Sequence, residues 1–326
     1  MEPWNMTKKP FSALSNCTLD TSYRFTFYQV SYGAIFIVGL ATNGLALHRL
    51  WHSPHTLTST IVYMASLSVA DMCFVVSLPL RIYFYHQRGR AFFASPADRA
   101  TWPPGGAFCQ VTFTIKYISL YGGIFFLVCI ALDRYLAVVH PMQSALRRLR
   151  FARLLSAAIW CLVLGLSLGL PMLRFAGVVS PLRHPCLLDP SSRHQRTLIL
   201  STLGLVLGAF LLPTALLLYS YCRVLSVLGR PRHRSRAQRR HTLTVIYWVL
   251  VVFLLCFAPY HTNLLIYTLS HVGLLPVCGL ARASMALHPV VLSLASANCC
   301  LNPLIYYFSS SLVHREPASR GSSGSH

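Results

Sequence analysis

The sequence predicts an all-α membrane protein, a bundle of seven transmembrane helices with an extracellular amino terminus and a cytoplasmic carboxyl terminus. Hydrophobic residues make up 55% of the 326-residue chain and charged residues only 11%. That is more apolar surface than a soluble domain of this length can bury. Seven apolar runs also reach the roughly 20 residues that a helix needs to cross a bilayer.

Each of the seven runs is expected to be a helix. Lipid offers no partner for backbone amides, which a helix pairs internally, and the strand alternation of a membrane barrel does not occur in this sequence. The expected spans are 28–50, 60–85, 108–139, 152–173, 197–228, 242–269 and 283–308. They divide the chain into an amino-terminal arm at 1–27, a membrane domain at 28–308 and a short tail at 309–326.

The loops set the orientation of the bundle. Arginines concentrate in the loops after spans three and five, both on the side opposite the amino terminus. Because such loops stay in the cytoplasm, the amino terminus is expected outside. Sequons at Asn5 and Asn16 agree, since glycans are added only in the lumen. The polar start lacks the pattern of a cleavable signal peptide, so span one is expected to act as the targeting signal.

The net charge of +21 would suit a nucleic-acid partner, but such proteins cluster their basic residues on a soluble scaffold. Here long uncharged runs separate the basic residues. We therefore expect no nucleic-acid binding.

Four of the eleven cysteines fall at or beyond the outer membrane face, where disulfides persist. They are Cys17, Cys109, Cys186 and Cys278. Four cysteines allow three pairings. A Cys109–Cys186 bridge would tie span three to the second outer loop, and a Cys17–Cys278 bridge would tie the arm to span seven. The other seven cysteines are expected to be small buried apolar residues.

Two of the seven acidic residues lie inside spans. Asp71 is midway along span two, and Asp133 is near the inner end of span three. An ionisable group in a membrane helix costs several kcal/mol unless it is paired or hydrated, so each suggests a function. Arg134 follows Asp133 and lies about 27 Å below Lys116 along the helix, at the cytoplasmic rim. A charge there can be paired at rest and exposed when helices move.

One motif in each span, in order along the chain, resembles the rhodopsin-like (class A) G-protein-coupled receptors, and in particular their purinoceptor-like and lysophospholipid branch. The matches are Asn43 in TNGLAL, Asp71 ending SLSVAD, DRY at 133–135, Trp160, Pro213 with Tyr221, Pro259 in FLLCFAPY, and NPLIY at 302–306.

The resemblance implies a plasma-membrane receptor without enzymatic activity or cofactor, coupled to a heterotrimeric G protein and, as a further partner, to arrestin. It implies that Asp133 locks Arg134 at rest and that activation releases Arg134 to meet the G protein and Tyr221. The residues implied in this activation network are Asp71, Asp133, Arg134, Tyr135, Pro213, Tyr221, Phe253, Phe257, Pro259, Asn298, Asn302, Pro303 and Tyr306.

Prolines in spans five, six and seven each remove a helix hydrogen bond and mark a place where a helix can bend. Pro259 is the expected hinge. Phe253 and Phe257 below it resemble the aromatic switch of the family, although two packing aromatics would give the same pattern.

Members of the family often hold sodium near the aspartate of span two with help from a serine on span three. Gly123 stands there in this chain, which argues against a metal site.

Basic residues in the outer halves of the spans point to an anionic ligand. No acid lies in these outer halves, and amine receptors of the family use an aspartate on span three, where Lys116 reverses the sign. Each base alone could instead be snorkelling to the outer interface. The expected ligand-binding residues are Arg81, Lys116, Tyr117, Arg174, His184, His261, Arg282 and His288.

Two classes of anionic ligand remain open. Nucleotide receptors of this branch place a basic residue three positions after the histidine of span six, where this chain has Leu264. The stretches TIKYISLYGG, LPLRIY and APYHTN resemble the receptors for lysophosphatidylserine and lysophosphatidic acid, so a lipid is favoured over a nucleotide. A transporter or intramembrane enzyme would need more polar residues across the midplane, and a retinal sensor would need a lysine in span seven.

Overall fold

The computed structural model describes residues 22–52, 58–93, 106–142, 144–175, 203–229, 236–271, 274–275 and 277–310. Within these residues, seven helices are long and apolar enough to cross a membrane, with mean hydropathy from 1.4 to 2.3. In chain order they are α1 (Tyr23–His52), α2 (Ser59–Phe93), α3 (Gly106–Val139), α4 (Leu149–Phe175), α5 (Leu203–Leu228), α6 (Arg236–Val252, Phe253–Phe257 and Ala258–His271) and α7 (Cys278–Ser296 and Asn298–Ser310).

The seven predicted spans are confirmed, and several helices extend beyond their apolar runs. The second helix, for example, continues from the predicted end at Tyr85 to Phe93. Hydropathy marks only the part of a helix that lies in hydrocarbon. The helical hydrogen bonds can continue into the polar layer, which an apolar run does not reveal. A 3₁₀ turn at Ser144–Arg147 joins α3 to α4.

The third helix lies at the centre of the bundle. In its most apolar window 72% of the residues are buried, against 28% in α1 and in α4. It packs against α2, α4, α5 and α6, while large apolar side chains on the outside of the bundle remain exposed, among them Val30, Leu154 and Leu254. An apolar outer surface of this kind suits contact with lipid chains.

Two helices contain a π-helical turn just before a proline. These turns are Leu207–Leu211 in α5, which precedes Pro213, and Phe253–Phe257 in α6, which precedes Pro259. In the first, the Leu212 N–H donates to the Leu207 carbonyl, five residues back. A proline has no N–H and its ring collides with the carbonyl four residues earlier. A wider turn relieves this conflict while keeping the segment helical.

The seventh helix is interrupted at Ala297. The Ala297 N–H donates to the carbonyls of Ser293 and Leu294 at 2.8 and 3.1 Å, and a new helix starts at Asn298. Pro289 and Pro303 lie inside the two halves. The interruption places Asn298 and Asn302 on the first turns of the inner half, close to α2 and α3.

Candidate ligand site and activation network

The structure places Lys116 inside the bundle between aromatic rings. Its side chain is 5% exposed, and its Nζ lies 5.0 Å from the ring centroids of both Tyr117 and Tyr260. Among the described residues no hydrogen bond or ion pair reaches the ammonium. The rings contribute a cation–π attraction, but they do not neutralise the charge.

Arg81 forms a second buried cation close to the first. It is 2% exposed, its Nη2 donates to the Thr112 carbonyl at 2.8 Å, and its Cζ lies 5.9 Å from the Tyr32 ring and 5.7 Å from the Phe74 ring. Phe74 also lines a small cavity together with Lys116. The two cations therefore flank one phenylalanine, and the two acids in the described part of the chain, Asp71 and Asp133, lie farther inside.

His261 lies one turn of α6 above Phe257, next to Tyr260. Its ring is buried, its Nδ1 is 2.8 Å from the Phe257 carbonyl, and it stacks on Phe210 at 4.3 Å with an interplanar angle of 4°. The rings of Tyr121 and Tyr260 meet it edge-on at 6.1 and 5.2 Å. His261 therefore belongs to the aromatic wall beside Lys116.

His288 lies apart from that wall, between α6 and α7. Its Nδ1 is 3.4 Å from Asn263 Nδ2, and its ring is 6.1 Å from Tyr267. Arg282 is exposed near the outer start of α7. Of the eight expected ligand residues, the structure brings Arg81, Lys116, Tyr117 and His261 together, while His288 is half-buried against α6 and Arg282 is exposed near the start of α7.

Several sequence predictions lie outside the described residues. These are the side chains of Arg174, Cys109 and Tyr306 and the positions Asn5, Asn16, Cys17, Cys186 and His184. Cys278 is disulfide-bonded, and its partner is not among the described side chains. The seven cysteines inside the bundle are free, although Cys73, Cys161 and Cys222 are exposed on the helix surfaces, so the expectation that all seven are buried is wrong for these three.

Asp71 anchors a polar cluster at the middle of the bundle. It is fully buried, its Oδ1 accepts a hydrogen bond from Ser119 Oγ at 3.2 Å, and its Oδ2 accepts one from Asn302 Nδ2 at 2.8 Å. Asn298 is also buried here, and its Nδ2 has no partner among the described residues. Asp71 is therefore bonded to both α3 and α7.

Asp133 was expected to hold Arg134, but in the structure it is bonded to other residues. The carboxylate of Asp133 accepts hydrogen bonds from Ser59 and Thr60 at the start of α2 and forms an ion pair with Arg147 in the 3₁₀ turn. No ion pair between Asp133 and Arg134 is found among the described side chains. Consecutive helix residues point about 100° apart. Asp133 faces α2, and the side chain of Arg134 therefore points in a different direction.

The other switch residues lie along α3, α5 and α6 below the ligand site. Tyr221 is 2% exposed, and its hydroxyl has no hydrogen-bond partner among the described residues. Tyr135 is hydrogen-bonded to His140 Nε2 at 2.9 Å. Phe253 stacks on Phe210 at 5.8 Å and meets Phe257 edge-on at 5.5 Å. The aromatic residues thus form a continuous chain from His261 to Phe253 at the middle of α6.

Sequence reasoning missed Tyr260, Phe210, Ser119 and the two hydroxyls that hold Asp133. Tyr260 was visible in APYHTN, but a tyrosine beside a proline gives no sign that it faces Lys116. Ser59 and Thr60 open the second span at the same membrane face as Asp133. A buried carboxylate needs hydrogen-bond donors. This requirement could have indicated that the two hydroxyls lie beside Asp133.

Known receptors resemble this chain over nearly its whole length. A family model described as "7 transmembrane receptor (rhodopsin family)" matches residues 42–306. The chain is 31% identical to lysophosphatidic acid receptor 6 of Gallus gallus over 301 residues, covering 91% of this chain and 94% of that receptor. It is 32% identical to a putative purinoceptor of Mus musculus over 317 residues, covering 96% and 93%. It is 31% identical to the probable G-protein coupled receptor 174 of Homo sapiens over 301 residues, covering 91% and 86%.

Proposed function

Because the chain belongs to the rhodopsin family of seven-transmembrane receptors, we propose that it responds to an anionic lipid, a lysophospholipid of the lysophosphatidic acid or lysophosphatidylserine type. Members of this family are plasma-membrane receptors rather than enzymes, and they transmit the binding of a small ligand to a G protein. Arrestin is proposed as a further partner.

The buried ammonium of Lys116 is the observation that carries this proposal. A desolvated charge without a counter-ion is costly, and the described side chains around it supply rings rather than acids. Arg81 adds a second buried cation beside Phe74. A phosphate or carboxylate between the two would neutralise both charges and accept the hydrogen bonds that each can donate.

A lipid is favoured over a nucleotide by the walls of the site. Tyr117, Tyr121, Tyr260 and Phe210 surround the histidine and the lysine. Leu264, where nucleotide receptors of this branch carry a base, is partly buried against the apolar core. The relative in Gallus gallus is named a receptor for lysophosphatidic acid. An apolar wall stabilises an acyl chain by up to about 0.8 kcal/mol per buried methylene.

The ligand is proposed to act on the cytoplasmic face through the aromatic chain of α5 and α6. Lys116 contacts Tyr260, Tyr260 meets His261, and the stack continues through Phe210 to Phe253. Both Phe210 and Phe253 lie in π-helical turns, where the helices can change geometry. A shift there would move the inner half of α6 and free the α3 end that carries Arg134.

The experiment is a ligand screen on cells that express the chain, read through G-protein activation. Lysophosphatidic acid, lysophosphatidylserine, adenosine and uridine nucleotides, and a monoacylglycerol with the same acyl chain would be compared. We expect the lysophospholipids to activate the receptor and the uncharged monoacylglycerol to be inactive. Activation by nucleotides with no response to any lipid would replace this proposal with a nucleotide receptor.

Two variants tie the response to the site. Lys116→Met removes the charge but keeps an unbranched apolar stem, and it should abolish or strongly weaken the lipid response. Arg153→Gln removes an exposed cation on α4 and serves as the matched control. Equal responses of the two variants at matched surface expression would contradict the proposed site.

A further inference from the structure

Two histidine rings lie against each other near the inner end of α1. His48 and His52 are both exposed, and their rings stack with centroids 4.2 Å apart and an interplanar angle of 29°. Residues four apart are neighbours on one face of a helix, which brings the two rings together. Of the fourteen histidines in the chain, only these two are four residues apart.

A backbone hydrogen bond fixes the tautomer of one of these rings. His52 Nδ1 lies 3.0 Å from the carbonyl oxygen of His48. A carbonyl oxygen can only accept, so Nδ1 carries the proton and donates it. In the neutral imidazole the lone pair is then on Nε2. Histidines that bind metal ions use the same arrangement, in which the second ring nitrogen donates to a backbone carbonyl. His52 therefore holds the tautomer that coordinates through Nε2.

The surroundings of the pair select the class of metal ion. Imidazole nitrogen suits zinc, copper and nickel, whereas magnesium and calcium need oxygen ligands. The two acids in the described part of the chain, Asp71 and Asp133, are buried and bonded to other residues. No cluster of three or more metal-binding side chains is found among the described residues. Two imidazoles would leave the remaining coordination positions to water or to a small chelator.

The position at the end of the helix also favours a cation. The first helix ends at His52, and the last carbonyls of a helix carry the negative end of its dipole. Arg49 is exposed on the same turn. Consecutive helix residues point about 100° apart, so the guanidinium of Arg49 is directed away from the face that carries the two rings.

We propose that His48 and His52 form an exchangeable binding site for one divalent transition-metal ion of the zinc, copper or nickel class. The ion would bridge the two imidazoles and stabilise the last turns of α1. The site differs from the sodium position that Gly123 argues against, since it lies at the inner end of the bundle and uses nitrogen ligands. It is also independent of the proposed lipid ligand, because Lys116 lies in the outer half of α3.

The test measures metal binding to the whole receptor, purified without a polyhistidine tag. The probe is copper(II)–iminodiacetate, which leaves copper positions free for two imidazoles, and bound copper is detected by electron paramagnetic resonance. We expect a tight component in the wild type. His48→Ala and His52→Ala should each weaken it at least about tenfold, because the second imidazole binds intramolecularly once the first has bound. Zinc and nickel should compete for the site, and magnesium should not.

Two control variants separate a chelating pair from scattered histidines. His86→Ala removes an exposed histidine that has no histidine three or four residues away, and it should bind copper as the wild type does. Combining His52→Ala with Leu50→His keeps the number of histidines but turns the second ring about 200° from the first. This double variant should not restore the tight component.

Unchanged tight binding in both single variants would overturn the inference. So would a loss in only one of them, because a single imidazole would then account for the copper. Full recovery of tight binding in the double variant, or an equal loss in His86→Ala, would show that the spacing of His48 and His52 has no role. Competition by magnesium as strong as that by zinc would contradict the proposed class of ion.

Discussion

Asp133 and Arg147 form an ion pair across the cytoplasmic end of the bundle, with Arg147 Nε 3.7 Å from Asp133 Oδ1. The aspartate is 3% exposed and the arginine 39%. Together with the hydrogen bonds from Ser59 and Thr60, this pair fastens α3 to α2 and to the turn before α4. In the structure Asp133 is thus held by residues of two other elements.

We predict that loosening this attachment raises signalling in the absence of ligand. A half-exposed ion pair is worth at most about 1 kcal/mol, whereas a buried hydrogen bond to a charge is worth about 1.5 to 3 kcal/mol. Basal activity should therefore rise more in Asp133→Asn and Thr60→Val than in Arg147→Ala. Ligand-free G-protein activation at matched surface expression measures this order, with Arg150→Ala as the control. Unchanged basal activity in all three variants would refute the attachment.

Arg134→Ala should have the opposite effect. The residue lies at the inner end of α3, far from Lys116, so its removal should reduce G-protein coupling while ligand affinity stays within about twofold of wild type. Binding of a labelled lysophospholipid and nucleotide exchange on the G protein would be measured on the same membranes. A parallel loss of affinity and coupling would show that Arg134 acts on the fold as a whole.

The outer disulfides should appear as two coupled pairs. Breaking a bridge by either single replacement removes the whole effect, so Cys109→Ser and Cys186→Ser should cost as much separately as together. Cys17→Ser and Cys278→Ser should behave in the same way with a smaller effect. Surface expression and the unfolding temperature of single and double variants provide the measurement. Additive losses within a pair would mean that its two cysteines are not bonded to each other.

Removal of either buried cation should weaken an anionic lipid by about 1.5 to 3 kcal/mol, the typical contribution of a charged hydrogen bond. Arg81→Lys should not restore the affinity, because the guanidinium already donates to the Thr112 carbonyl and a single ammonium cannot replace its fork of donors. Lys116→Arg should retain part of the affinity for the anionic lipid. Affinity per receptor at the surface separates binding from folding. Normal binding by both Arg81→Ala and Lys116→Ala would exclude the headgroup site.

The aromatic stack between α5 and α6 should contribute a measurable coupling energy. Phe210 contacts Phe253 at 5.8 Å and His261 at 4.3 Å, and such pairs are worth about 0.5 to 1.5 kcal/mol beyond the area that they bury. A double-mutant cycle of Phe210→Leu and Phe253→Leu should show this coupling in thermal stability. Phe25→Leu and Phe126→Leu, which lie in α1 and α3, form the control pair and should be additive. Additive effects of Phe210→Leu and Phe253→Leu on thermal stability would contradict the proposed link between α5 and α6.

The sequence predicted what depends on local composition and missed what depends on contacts between helices. All seven spans follow from hydropathy, and the motifs identify the depth of Asp71 and Asp133. The partners of Asp133, Ser59 and Thr60, lie 74 and 73 residues away, and only the packing of α2 on α3 brings them together. Pro213 and Pro259 predicted a local irregularity, but a proline alone does not distinguish a bend from a π-helical turn.

The donors around Asp71 show the same distinction. Gly123 was visible as a missing serine, yet only the structure shows that Asn298 occupies the space. Likewise Lys116 was conspicuous as a base on span three, while the rings on which it lies come from two helices. A residue's type and depth are local properties, whereas its neighbours are set by the arrangement of the whole bundle.

The π-helical turn at Phe253–Phe257 also sets the direction in which the outer half of α6 points its side chains. A π-turn accommodates about one residue more than an α-turn, and one residue corresponds to a rotation of about 100°. Tyr260 and His261 therefore face the interior only because an additional residue has been accommodated below them. Deleting one residue from this segment would turn both side chains away from Lys116 while leaving the sequence APYHTN intact.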